Sequence, residues 1–234
     1  MLIILVIAFL VSFLLKTYLI RSFYIPSSSM EATLQINDRI IVNELVPNAM
    51  PLQYGDVVVF RDPGGWLGPQ PEPESNWFLG ALDWLGSLIG VTASDSNDHL
   101  IKRLIGLPGD HVVCCTPTGQ LTVNGVPLDE PYLQLAQGQA SAPRPFDVTV
   151  PDGSLWMMGD NRWNSKDSLG HIDDPGGGFV PVSTVVGKAL VISWPMHRWR
   201  VLDNYPLTFE GVAAARATAS APETPAAAAA VTAP

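Results

Sequence analysis

Seven short runs recur along the chain and leave it few folds to choose from: RIIVNEL, DVVVF, HLIKRLIGL, HVVC, QLTVNGVPL, SLWMMGD and VVGKALVISW. They are rich in Val, Ile and Leu and bounded by Gly, Pro, Asn or Asp. β-Branched side chains pack well on a pleated surface, whereas the bounding residues favour turns. The pattern predicts a mainly β, antiparallel domain. Asn124 and Gly125, between Val123 and Val126, form a two-residue hairpin signal, because both central positions of a type I′ turn need positive φ.

The convincing long helix lies at the start. Residues 1–20, MLIILVIAFLVSFLLKTYLI, are almost wholly apolar, and as a helix they reach about 30 Å, the thickness of a bilayer's hydrocarbon core. A transmembrane anchor over residues 1–21 is expected rather than a cleaved leader. The run is longer than the roughly 7–15 apolar residues of a leader, no basic residue precedes it and no small-x-small cleavage site follows. Lys16 and Arg21 lie at its C-terminal end, so the positive-inside rule, read literally, leaves the rest of the chain in the cytoplasm.

Residues 63–98 form a Pro/Gly/Trp-rich insertion within a domain expected over 22–212. Its segment NWFLGALDWLGSLIG has helical spacing. Trp66, Trp77, Phe78 and Trp84 suit either a packed surface or contact with a bilayer interface. The Ala/Pro-rich tail, 213–234, has little to bury and is expected to be disordered. A formal charge of −9, with no basic cluster longer than a pair, argues against nucleic-acid binding. The two cysteines, Cys114 and Cys115, are adjacent. They cannot form a C-x-x-C metal site, and neighbours in a strand point to opposite faces, so two inert small residues are expected in preference to a strained vicinal disulfide.

Chemistry is first suggested by Ser27, Ser28 and Ser29, which follow the rigid Pro26 within ten residues of the apolar run. A serine hydroxyl needs a base to become a good nucleophile. The four histidines, His99, His111, His171 and His197, lie in no recognisable triad context. Among the lysines, Lys16 is in the apolar segment and Lys166 in the polar stretch NRWNSKDS, where solvation is expected. Lys102 instead sits in an apolar strand pattern, sharing a face with Leu100 and Leu104 and opposed to Ile101 and Arg103. To act near neutral pH its pKa must fall from about 10.4 to roughly 7–8, a perturbation of some 3–5 kcal/mol that desolvation can supply. Arg103 then needs a carboxylate, for which Asp160 and Asp167 are both candidates, and Ser165 is a candidate to orient the lysine amine. The segment holding these three, MMGDNRWNSKDSLG, reads equally as a strand-end turn with Asx hydrogen bonds.

In order, IPSSSMEATL, DVVVF, LIKRLIGLPGD, LTVNGVPLDE, MGDNRWNSKDS and VPVSTVVGKALVISWP resemble the bacterial type I signal peptidases from residue 1 to about 197. The resemblance implies a membrane-anchored serine endopeptidase with an antiparallel β catalytic core, a hairpin-rich second subdomain and one N-terminal transmembrane helix. By motif position Ser29 is the nucleophile and Lys102 the general base. Ser27, with the Ser29 backbone N–H, matches the oxyanion hole. Ser165 matches the serine that hydrogen-bonds the lysine, and Asp160 and Arg103 a supporting ion pair. Ile25, Pro26, Met30 and Ile101 match the substrate cleft. The implied substrates are signal peptides of exported preproteins, cut after small residues of the Ala-x-Ala type, with no metal or cofactor. The implied place is the outer face of the cytoplasmic membrane, near the secretion translocon. Three residues depart from the family pattern: Ala32 replaces a usual Pro, Trp163 a polar residue, and Leu169 an Arg that would partner Asp167.

A non-catalytic membrane protein whose β domain binds peptides would share the anchor and strands but has no reason to keep Ser29 with Lys102. A self-cleaving regulator is disfavoured by the N-terminal anchor.

Overall fold

A computed structural model describes residue 4 and residues 19–68 and 98–219. The expected anchor therefore lies almost wholly outside the described residues. At its end a boundary moves: Ile20 and Arg21 belong to the first strand, β1 (Ile20–Tyr24). Among the described residues no helix is long and apolar enough to cross a membrane.

Every one of the seven runs holds a strand. They supply β2 (Arg39–Asn43), β3 (Val57–Arg61), β4 (His99–Gly106), β5 (His111–Cys114), β6 (Leu121–Val123) with β7 (Val126–Pro127), β9 (Ser154–Met158) and β11 (Val185–Trp194). The runs did not signal β1, β8 (Phe146–Thr149), β10 (Val180–Pro181) or β12 (Arg200–Val201). Asn124 and Gly125 take φ of 52° and 77°, as the hairpin between β6 and β7 requires.

Among the described residues two antiparallel sheets result. The larger has the order β1-β2-β11-β3-β4-β9-β10, with β12 on β11; the smaller has the order β7-β6-β5-β8. The larger sheet is covered on both faces. Phe23, Ile40, Val42, Val57, Val59 and Ile101 pack on one, and Val58, Phe60, Leu100, Leu104 and Met157 on the other. Period-2 alternation along β3 and β4 sends neighbouring residues to opposite cores. Double coverage explains why β4 is buried from Leu100 to Gly106, charged residues included. The smaller sheet packs Val112, Cys114, Leu121 and Val123 around Trp156 and Phe209.

Three expectations change. Trp66 is not an interfacial residue: it is buried, edge-on to Phe60 and stacked on His171 with ring centroids 4.4 Å apart. Trp77, Phe78, Trp84 and the expected amphipathic helix lie outside the described residues. Cys114 and Cys115 are joined in a vicinal disulfide, with Cys114 buried in the small-sheet core. A helix, α1 (Val212–Ala219), carries regular structure into the stretch read as a disordered tail. Val212 enters the small-sheet core, and Arg216 donates to the Pro108 carbonyl and lies 3.8 Å from buried Asp110. Those anchors supply what the low-complexity composition lacks.

Candidate active site

The three serines sit in a tight turn between β1 and β2. Ile25 still pairs with the approach to β2, its N–H donating to Asp38 O at 2.9 Å, and Pro26 then ends the ladder because it has no N–H to give. Glu31 N donates to Ser28 O at 3.0 Å and Thr33 N to Met30 O at 2.8 Å. Met30 and Leu34, both 0% exposed, fasten this turn into the core. The result separates the serines: Ser27 is exposed and Ser28 half-buried, whereas Ser29 is buried.

Lys102 reaches Ser29 from the middle of β4. Its Nζ donates to Ser29 Oγ at 2.6 Å and to Ile101 O at 3.1 Å. It is 3% exposed, among Leu100, Leu104 and their neighbours on the same sheet face. Burial strips water from the ammonium and pushes the pKa down to about 8, although Asp167 and Asp160 pull in the opposite direction. Ser27 Oγ lies 3.4 Å from Ser29 Oγ, and the Ser29 N–H donates to none of the described residues. Lys166 is exposed, as expected. The fourth lysine, Lys188, pairs with buried Asp56 at 2.5 Å.

On the opposite face of β4, Arg103 meets Asp160. Arg103 pairs with Met158 across the sheet, so the chain leaving β9 brings Asp160 alongside. The carboxylate accepts from Arg103 Nε at 2.8 Å and Nη2 at 2.7 Å, both side chains being fully enclosed. Thr33 Oγ1 also donates to Asp160. Arg103 Nη1 donates to Gly55 O at 2.6 Å, and the Tyr132 ring lies 4.1 Å from its guanidinium carbon. Removal from water disfavours the arginine charge, but Asp160 outweighs this and its pKa rises. Of the two carboxylates left open, Asp160 is the partner. Asp167 instead caps the turn, accepting from the N–H groups of Gly159 (2.8 Å), Leu169 (3.1 Å) and Gly170 (3.4 Å). It lacks no partner for want of an arginine at 169, and Leu169 is spent in the small-sheet core.

The expected link from Ser165 to Lys102 is absent: Ser165 Oγ is enclosed and has no hydrogen-bond partner among the described residues. It lies against Gly159, where any Cβ would collide with this hydroxyl and with the Ser29 carbonyl oxygen. Glycine thus lets the strand-end loop approach the serine turn. Asn161 N then donates to Ser29 O at 3.0 Å, and Asn161 Nδ2 to Ser28 O at 3.1 Å. Asn164 Nδ2 donates to Ser28 Oγ at 3.1 Å.

A cavity of about 280 Å³ opens beside the dyad, lined by Phe23, Pro26, Val59, Leu67, Leu100 and Ile101 among others. Pro26 and Ile101, two of the four residues expected at a substrate cleft, line this cavity. Ile25 and Met30 do not line it: they are 2% and 0% exposed and belong to the core beneath. Alternation accounts for Ile25, which turns away from its exposed neighbours Tyr24 and Pro26.

Several participants escaped sequence reasoning: Thr33, Asn161 and Asn164 around the serine turn, and a second enclosed ion pair, Arg162 with Glu130. Arg162 Nη2 lies 2.5 Å from Glu130 Oε1, and Nη1 donates to Ser141 O at 2.9 Å. Tyr132 donates to Glu130 at 2.7 Å and so joins the two pairs. The only signal was the unusual density of Asp, Asn and Arg immediately after an apolar strand.

A buried lysine hydrogen-bonded to a serine at the mouth of an apolar cavity defines a candidate hydrolase site. The comparisons agree. The family model described as signal peptidase, peptidase S26 matches residues 1–194. Signal peptidase I of Mycobacterium tuberculosis (strain CDC 1551 / Oshkosh) is 42% identical, over 85% of this chain and 73% of the relative. A probable signal peptidase I of Mycobacterium leprae is 39% identical over 83% and 75%. Signal peptidase I of Pseudomonas fluorescens is 30% identical over 82% and 71%. The chain belongs to the signal peptidase family, peptidase S26, and is a peptidase.

Proposed function

We propose that this chain removes signal peptides from exported preproteins, with Ser29 as nucleophile and Lys102 as general base. The observation that carries the reading is the 2.6 Å contact between Lys102 Nζ and Ser29 Oγ in a buried setting that lowers the lysine pKa to about 8. Once neutral, the amine accepts the hydroxyl proton as Ser29 Oγ attacks the scissile carbonyl. The developing oxyanion is met by the Ser29 N–H and the Ser27 hydroxyl, donors of the kind that stabilise such charge most. The protonated lysine returns its proton to the leaving amine, and water then hydrolyses the acyl-enzyme by the same route. The enclosed Ser165 hydroxyl, beside the dyad and without a partner, is available to hold the amine once it leaves Ser29.

The apolar cavity beside the dyad, formed by Pro26, Val59, Leu100 and Ile101, favours small apolar side chains such as those of an Ala-x-Ala site. An apolar anchor over residues 1–19 would tether the catalytic domain at the outer face of the cytoplasmic membrane. Tethering beside a membrane-held substrate raises the effective concentration of each for the other.

The test incubates detergent-solubilised full-length protein with a preprotein whose signal ends in Ala-x-Ala. Wild type is expected to cleave it, and Ser29→Ala and Lys102→Met to lose at least about a thousandfold in kcat. Equal cleavage by all three sinks the dyad; no cleavage by wild type favours a peptide-binding module.

A further inference from the structure

The serine turn has open space on both sides, and the two sides differ in chemistry. The apolar cavity touches residues that precede the nucleophile, Phe23, Tyr24, Pro26 and Ser27. A second recess, of about 370 Å³, touches residues that follow it, Glu31 and Ala32, together with Gln134, Gln139, Asn161 and Trp163. Between them an open space of about 490 Å³ holds Ser29 and Lys102, and Trp163 walls both this space and the recess. Trp163 is the residue that departs from the family's polar choice. Its side chain is 51% exposed, and its indole N–H donates to Ala140 O at 3.2 Å, which fixes the ring.

The charges in the recess do not cancel. Asp160 is neutralised by Arg103 and Arg162 by Glu130. Glu31 makes no ion pair among the described residues; its carboxylate accepts only from Asn161 Nδ2, at 3.3 Å. The recess is therefore polar with one uncompensated negative charge, beside an exposed indole face that can support a peptide backbone or the stem of a long side chain.

We infer that Trp163 and Glu31 form a subsite for the polypeptide on the leaving-group side of the cut, favouring a basic side chain there over an acidic one. The inference rests on the proposed cleavage after Ala-x-Ala at Ser29. A chain whose small residues occupy the apolar cavity and whose scissile carbonyl lies at Ser29 Oγ continues past the nucleophile, and the recess beyond Trp163 lies on that path. Trp163 is a specificity residue under this assignment, with no part in proton transfer.

The test uses full-length protein in detergent and two peptides sharing one Ala-x-Ala segment. One peptide ends as an amide one residue after the cut; the other continues for five residues and carries Lys or Glu at the second. Trp163→Ala is expected to lower kcat/KM for the long peptide about tenfold, mainly through KM, and for the short peptide less than twofold. Trp163→Phe should restore most of the loss. Wild type should prefer Lys over Glu by about fivefold, the scale of an exposed ion pair, and Glu31→Gln should erase that preference while leaving the short peptide unaffected. Equal losses on both peptides would mean that Trp163 only supports the fold and would overturn the inference. So would unchanged kinetics on the long peptide, or a Lys preference that survives Glu31→Gln. If wild type cleaves neither peptide, the proposed cleavage after Ala-x-Ala fails and this inference with it.

Discussion

The two sheets obey the same alternation yet bury different things. In the four-stranded sheet one face is apolar and holds Val112, Leu121 and Val123; the other face is wetter, as the half-buried Val113 and Thr122 show. In the eight-stranded sheet both faces of the middle of β3 and β4 are covered, so alternation gives the residues from Val57 to Phe60 and from Leu100 to Gly106 no route to water. Lys102 and Arg103, neighbours in sequence, are 3% and 0% exposed on opposite faces. Arg103 meets a carboxylate and stays charged, while Lys102 meets a hydroxyl and a carbonyl and loses affinity for its proton. A sheet covered on one side yields stability; a sheet covered on both yields groups whose charge depends on their partners.

The sharpest break of this contrast is Asp160→Asn, which strands the Arg103 charge in the interior. Removing one member of an enclosed pair costs about 4 kcal/mol, so the urea midpoint should fall steeply. A shift below about 1 kcal/mol would mean that Gly55 O, Asp203 O and Tyr132 suffice for Arg103.

Lys102 gives the next effect, and its sign can be worked out. Its folded pKa is depressed to about 8, against about 10.4 when unfolded. Between those values the unfolded chain binds more protons, so this group makes stability rise with pH across that window. Below about pH 8 the full penalty is present, about 3 kcal/mol. Lys102→Met should remove the rise and stabilise the protein more at pH 7 than at pH 10.5, while abolishing cleavage. Wild-type kcat/KM at low substrate should climb about tenfold per pH unit below the lysine pKa and level off above about 8. A flat profile from pH 6 to 9, or a variant with the same pH dependence of stability as wild type, would show that Lys102 is not desolvated.

The smallest effect belongs to the four-stranded sheet. Val112→Ala removes two buried methyl groups and should cost about 2 kcal/mol, with kcat unchanged in the folded protein. A kcat loss greater than about threefold would tie that core to the chemistry, through Ser141 and Arg162.

How far the molecule was legible varies with the range of the interaction. Alternation in HLIKRLIGL placed Lys102 on an apolar face, and Asn124 with Gly125 announced its hairpin, because both depend on a few consecutive residues. β1 was partly hidden because Ile20 and Arg21 read as the end of an apolar helix. Ile25 and Met30, expected at a substrate cleft, lie in the core and not on the cavity beside the dyad, a placement set by how the turn docks. The choice of Asp160 over Asp167 depended on where β9 ends beside Arg103, which no local pattern encodes.

The serine and the lysine divide along the same line. By itself the sequence determined that an antiparallel β domain carries a lysine on an apolar strand face, because the period of a strand is a local property of the backbone. The three serines had no such local distinction. Only the tertiary structure buries Ser29 and leaves Ser27 exposed, since their placement depends on Met30 and Leu34 entering the core and on Gly159 letting a distant loop close over the turn.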